Sequence, residues 1–433
     1  MLDNEWVSLF ENGIDAQVKA TNKYKTTTVY AVIDLPLDKR TVTKNAMMPA
    51  LLLHGTASNP APDLLMRAIE ELYGANMHAR TGKHGDVQTF EYILQVPDEQ
   101  IIGEPGLFEE ALELFAEMIF DPLQEGKGFS NRAFDIERML HRQKILNLIN
   151  DKMSYAAEKC LEIMAEGEPY GIPRLGYADD LDGLDANTLL QEYLHIVQHR
   201  QFHIYIVGNV GIKSVKSSVE HVFGKYKDLY QSNDDPRLPL HIAHQSAPTE
   251  AKQLIEEMDI NQGKLNLGLR TGINYASDDY PALLVYNGIL GGFPHSKLFL
   301  NVREKASLAY YASSRLEGLK GYVFVYAGID SERYEEALAV IKQQMEDMLH
   351  GQLSDDEIEF TKVGLINQYR QSDDPPLTGA ALQMYARYTG RAWSVQELIN
   401  AIDRVDKSAV VRVAERVHLD TVYFLKSKGG EAK

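Results

Sequence analysis

Arg303 and Tyr310, seven residues apart, are a pair of side chains that could grip a carbonyl-rich ligand. A guanidinium offers a rigid fork of donors, and a phenol adds one more that can face a developing oxyanion. Seven residues is about two helical turns, so a continuous helix puts both side chains on one face. If the helix stops at Leu308, the tyrosine instead opens the next strand, near the arginine's tip. Just upstream, Gly288, Gly291 and Gly292 form a cluster where backbone can bend or approach a ligand closely. Spacing alone also fits a surface arginine beside a half-buried tyrosine.

Other chemistry is harder to assemble. His195 and His199 stand at i and i+4 with His203 close by, and two imidazoles so spaced can share a metal ion. Gln198 between them cannot serve as a base, and a metal needs a third or fourth ligand, so they read as a surface or satisfied pair. His54, His78 and His84 are tied together by no spacing. The single Cys160 excludes an internal disulfide and sits in an apolar helical stretch, where an inert buried thiol is expected. No P-loop, dinucleotide-binding glycine fingerprint or G-x-S-x-G elbow is present. The acidic runs Glu70-Glu71, Glu109-Glu110 and Asp355-Asp356 read as solvated faces or helix N-termini.

The elements that must position these groups follow from patterning. Hydrophobic residues at 44% and charged residues at 24% are ordinary globular values, and 433 residues can bury a large core. A net charge of −18 argues against nucleic acid and against an anionic membrane surface as partners. The first residues carry no basic, apolar leader, and no apolar run is long enough to span a bilayer, so a cytoplasmic protein is expected. Strands are expected over 6–10, 16–21, 26–35, 77–81, 88–95 and 202–207, with helices over 42–53, 108–120, 133–148, 153–164 and 185–195. The proline-punctuated stretch 232–249 reads as an extended connector between an N-terminal domain, 1–231, and a C-terminal domain, 250–433. Beyond it come strands over 264–270 and 322–329, then helices over 334–349, 355–371, 378–388 and 395–417. A last strand is expected over 421–425, with fraying from Lys426. FEEALELFAEMI from Phe108 parallels YEEALAVIKQQM from Tyr334, each just after a strand, which points to an internal duplication.

The stretch LGGFPHSKLFLNVREKASLAYYASS resembles the C-terminal signature of the M16 family of zinc peptidases, the family of pitrilysin and mitochondrial processing peptidase. There a glycine-rich loop leads into a helix ending in Arg, with Tyr seven residues on, and Arg303 and Tyr310 fall on those positions. The resemblance extends over nearly the whole chain. It implies an α+β fold of two homologous α/β domains, each a mainly antiparallel sheet packed with helices. It also implies a zinc site, His-x-x-Glu-His, on a helix of the first domain, followed by an apolar run and Gly-Thr. Counting back from Gly55-Thr56 places Ala46, Pro49 and Ala50 on the two ligands and the base, and aligning IERMLHRQKILNLI with the family's later helix places Lys144 on the third ligand. None of these can ligate zinc or move a proton. The expectation is therefore a chain without a metal of its own, the inactive subunit of a heterodimer. Its homologous zinc-bearing partner would hydrolyse the peptide. Arg303 and Tyr310 would hold the peptide carbonyl and its oxyanion, and Gly288, Gly291 and Gly292 would shape the chamber mouth or touch substrate. The alternative is a non-catalytic scaffold or peptide-binding protein of the same fold, as among core subunits of the respiratory bc1 complex.

Overall fold

Residues Ile14–Ala20 alternate buried and part-exposed side chains, as a strand with one covered face must. This strand, β2, belongs to a six-stranded sheet in a computed structural model that describes residues 6–11, 14–226, 248–372 and 376–428. The expected connector 232–249 lies outside the described residues except for Pro248 and Thr249. The sheet is ordered β1 (Val7–Glu11), β2, β8 (Phe202–Gly208), β3 (Thr26–Pro36), β5 (Val87–Pro97), β4 (Asn76–His84). Only β2 and β8 run parallel; every other neighbouring pair is antiparallel. Helices α1 (Val42–Leu51), α2 (Pro62–Glu71), α4 (Leu107–Phe120), α7 (Ala186–His199) and α8 (Ile212–Gly224) bring their apolar stripes to this sheet. Val29, Ala31 and Ile33 of β3 share one core with Met48 of α1, Phe115 of α4 and Tyr193 of α7. A one-turn helix, α3 (Glu99–Ile102), and a hairpin of β6 (Gln124–Glu125) and β7 (Gly128–Phe129) complete the connections before α5 (Asn131–Asn147).

The second sheet is ordered β11 (Ala309–Glu317), β12 (Tyr322–Ile329), β10 (Gly263–Arg270), β13 (His418–Ser427), β9 (Lys252–Met258). Here β9 and β13 are the parallel pair and the rest are antiparallel. Its helices are α9 (Tyr280–Asn287), α10 (Tyr334–Leu349), α11 (Asp355–Ser372), α12 (Pro376–Thr389), α13 (Val395–Asp403) and α14 (Lys407–Ala414). The order β2-β8-β3-β5-β4 thus repeats as β9-β13-β10-β12-β11, with the same parallel pair in the same place. An α+β duplication of this kind is what the paired FEEALELFAEMI and YEEALAVIKQQM segments, now α4 and α10, suggest.

The two compact units do not follow a single cut. One takes Met1–Leu146 with Ile172–Leu240, the other Asn147–Gly171 with His241–Lys433. The contiguous first domain expected over 1–231 thus gives up a segment, and packing explains why. Helix α6 (Lys152–Met164) buries Ala156, Cys160 and Met164 against Tyr322, Phe324, Tyr423 and Leu425 of the second sheet. Gly268 of β10 leaves the space that Met164 fills, since a Cβ there would meet its sulfur at 2.5 Å. Just beyond α6, buried Glu168 meets Arg270 at 2.7 Å and Lys320 at 3.3 Å, while Asp420 takes the other side of Arg270 at 2.6 Å. Charges this deep persist only when paired and hydrogen-bonded, and Tyr322 donates to Glu168 at 2.6 Å.

Several expected boundaries move, three of them with structural consequences. Helix α7 continues past His195 to His199. The helical stretch 395–417 breaks at Asp403 into α13 and α14, each opened by a capping side chain, Ser394 and Asp406. The last strand runs through Lys426 to Ser427 rather than fraying there.

Candidate functional site

Within the second unit, α9 does not end at the glycines. It passes into a π-helical turn over Gly288–Gly292, and a second π-helical segment covers Leu298–Lys305. The glycine cluster is therefore helix rather than a bent loop, and none of the three glycines has positive φ. Their small size serves packing. A Cβ on Gly288 would meet Thr361 at 2.4 Å, and one on Gly291 would meet the Ser314 backbone nitrogen of β11 at 2.4 Å. Gly292 alone of the three is exposed.

The second π-helical segment unwinds through wide turns. The Ala306 amide donates to the Asn301 carbonyl at 3.2 Å and the Leu308 amide to Val302 at 3.0 Å. Ser307 takes φ 50°, a left-handed conformation uncommon outside glycine, and turns the chain into β11. Tyr310 therefore opens a strand and does not continue the arginine's helix. It is the extra residue where the pairing of β11 with β12 slips between Ala309 and Tyr311. A bulge of this kind re-aims one side chain on an edge strand, and Tyr310 is 73% exposed. Arg303 stands over the Phe299 ring at 4.5 Å, with its Nε 3.6 Å from Glu304. Its side chain is 41% exposed. No hydrogen bond, ion pair or ring contact joins Arg303 to Tyr310. Both present polar ends outward from one short segment.

In the first unit, α1 carries Ala46, Pro49 and Ala50. Two methyl groups and a pyrrolidine ring have no lone pair to give, so this helix does not fit a zinc ion. Lys144, on α5, is an exposed cation, which would repel one. Pro49 lies inside the helix and is buried. It has no N–H for the Asn45 carbonyl, and Thr81 Oγ1 of β4 reaches that oxygen at 3.3 Å and Ala46 O at 3.4 Å. Sequence reasoning did not single out Thr81. The signal was present, because a proline inside a helix leaves a carbonyl that something outside must satisfy.

The histidines do not gather. His54 meets Glu137 of α5 at 2.8 Å, and His84 meets Glu91 at 2.8 Å. His203 meets Asp15 at 3.1 Å. His195 and His199 stack with ring centroids 4.1 Å apart, and His199 Nδ1 donates to the His195 carbonyl at 2.8 Å. They line a cleft of about 480 Å³ with Asp38, Arg40 and Glu192. Among the described residues no group of three or more His, Cys, Asp or Glu is placed to hold a metal ion. Cys160 is fully buried, and burial pushes its thiol well above the ordinary value. Among the described residues no helix is long and apolar enough to cross a membrane.

A five-strand order that occurs twice, each time with the same parallel pair, and an Arg/Tyr segment leading into an edge strand define the frame that any family assignment must match. Comparison with known proteins agrees. Residues 183–365 match the family described as "Peptidase M16 inactive domain". The "Probable inactive metalloprotease YmfF" of Bacillus subtilis is 35% identical over 421 residues, covering 96% of this chain and 97% of that protein. The chain belongs to the peptidase M16 family, as an inactive metalloprotease homologue. The "Uncharacterized zinc protease YmxG", also of Bacillus subtilis, is 25% identical over 58% of each chain. A solved structure of a conserved protein from Enterococcus faecalis V583 superposes with TM-score 0.90 at 27% identity, over 99% of this chain and all of that one. A peptidase M16 inactive domain from Pseudomonas fluorescens gives 0.79 at 14% identity, again over 99% and 100%, which speaks to the fold.

Proposed function

We propose that this chain is the metal-free subunit of a two-chain M16 peptidase, facing a homologous zinc-bearing subunit and sharing a peptide substrate with it. In this reading the partner supplies the metal and the base. Arg303 holds the peptide carbonyl, and Tyr310 donates to the oxyanion that develops there. The observation that carries the reading is Tyr310: a bulge at the start of an edge strand turns its phenol outward, where no partner among the described residues uses it. β11 is an outer strand of its sheet, so an extended peptide can add main-chain hydrogen bonds along it. Gly292 is exposed enough to touch such a peptide, whereas Gly288 and Gly291 act by letting the helix approach β11 and α11.

The test is Tyr310→Phe in the reconstituted pair. Loss of a transition-state donor lowers turnover about 10²-fold or more, with substrate KM and the chain's own unfolding midpoint nearly unchanged. Turnover equal to wild type would leave scaffolding as the role of this subunit.

A further inference from the structure

The charges of α5 can be assigned one by one. Arg138 pairs with Asp135 at 2.9 Å, Arg142 with Asp182 at 2.5 Å, and Glu137 with His54 at 2.8 Å. Arg132 and Lys144 remain. Both are exposed, and neither finds a carboxylate among the described residues, although the chain carries 62 acidic side chains against 44 basic ones. Along the same helix Ile136, Met139, Leu140 and Leu146 are 36%, 53%, 36% and 55% exposed. Their spacing puts them on one side of α5, opposite buried Phe134 and His141. Helices α2 and α3 of the same unit each show only two large apolar side chains of comparable exposure. A stripe of this kind on a folded surface marks a contact site.

We propose that this face of α5 docks an acidic, apolar peptide segment. That the peptide is the substrate of the two-chain enzyme rests on the function proposed above; that it is acidic rests on Arg132 and Lys144. Arg132 precedes the stripe and Lys144 lies beside it, between Leu140 and Leu146, and both await opposite charge. Lys144 matters most, since the family resemblance puts it where a metal-binding carboxylate is expected, and a cation there inverts the charge preference of the position. A second copy of the chain is the poorer occupant. A two-fold contact of α5 on α5 would set Arg132 and Lys144 against the same cations across the interface.

The inference is tested on the full chain alone by fluorescence anisotropy, with a labelled peptide of Leu and Glu, its Leu and Lys counterpart, and a Ser and Glu control. The Leu/Glu peptide binds at least roughly tenfold tighter than either of the others, and salt weakens it. Arg132→Glu combined with Lys144→Glu reverses the charge preference. Met139→Ser combined with Leu146→Ser weakens the Leu/Glu peptide tenfold or more. All four side chains are exposed, and far-UV circular dichroism confirms that the variants stay folded. Equal affinity for the two charged peptides, or no response to the serine pair, overturns the proposal. A dimer in light scattering that the serine pair abolishes assigns the face to a second copy and also overturns it. No partner subunit is needed, so a negative result here leaves the Tyr310 test standing. Peptide binding with wild-type turnover in Tyr310→Phe would instead remove the catalytic role alone.

Discussion

At Pro49 the backbone of α1 lacks the N–H that would close on the Asn45 carbonyl one turn back, and a buried carbonyl left without a donor costs stability. The Thr81 hydroxyl, 3.3 Å from that oxygen, takes the place of the missing amide. Thr81→Val should lower the unfolding free energy by about 1 kcal/mol. The same change made in a Pro49→Ala background should cost less than half as much, because an alanine at that position brings back the amide. Urea unfolding of the four proteins in this double-mutant cycle measures the coupling. Equal costs in both backgrounds would mean the hydroxyl is not serving that carbonyl. The proline inside this helix is thus accommodated by a side chain on the neighbouring strand.

Helix α9 and the two π-helical segments after it place Arg303, and Gly291 sets how close they come to β11. A methyl group on Gly291 meets the Ser314 backbone nitrogen and the Ser313 carbonyl carbon at 2.4 and 2.8 Å, and backbone cannot step aside as a flexible side chain can. Gly291→Ala should destabilise by about 1–3 kcal/mol in thermal unfolding. Gly292→Ala, whose nearest neighbour is the Asn287 carbonyl at 3.3 Å, should cost less than about 1 kcal/mol. A Gly291→Ala chain with wild-type stability would remove the packing account. Sequence patterning locates strongly periodic elements well. The expected 334–349 helix and 322–329 strand coincide with α10 and β12, and 108–120 falls one residue short of α4. It misses β9, whose mostly exposed residues show neither alternation nor a buried run, because an outer strand has little to hide. Spacing leaves two courses open for the Arg303–Tyr310 stretch, since ordinary helix-forming residues carry no mark of π-helical bonding; tertiary packing decides it. The Arg/Tyr positions themselves are readable only through family likeness.

Acid sensitivity is a property of the whole molecule, and Glu91 contributes to it from the first sheet. Burial disfavours its charged form, but His84 and Arg80 outweigh that, each at 2.8 Å, and hold the carboxyl at about 2. The unfolded chain takes up this proton near 4.5, the ordinary value, and the folded chain only near 2. Stability from Glu91 is therefore complete above pH 4.5 and drains away as the pH falls through that window. Glu91→Gln should be less stable at neutral pH by about 2–3 kcal/mol, with a flatter decline between pH 4.5 and 2 in urea midpoints; parallel declines would exclude Glu91 as the source. A different consequence follows from α6. This helix leaves the ribosome well before the strands it must cover, so its apolar face waits while the second half is made. Genetic fission at the connector would hand that helix to the wrong fragment, baring Tyr322, Phe324, Tyr423 and Leu425 and leaving Arg270 without Glu168. The second sheet is complete only when its covering helix is made on the same chain.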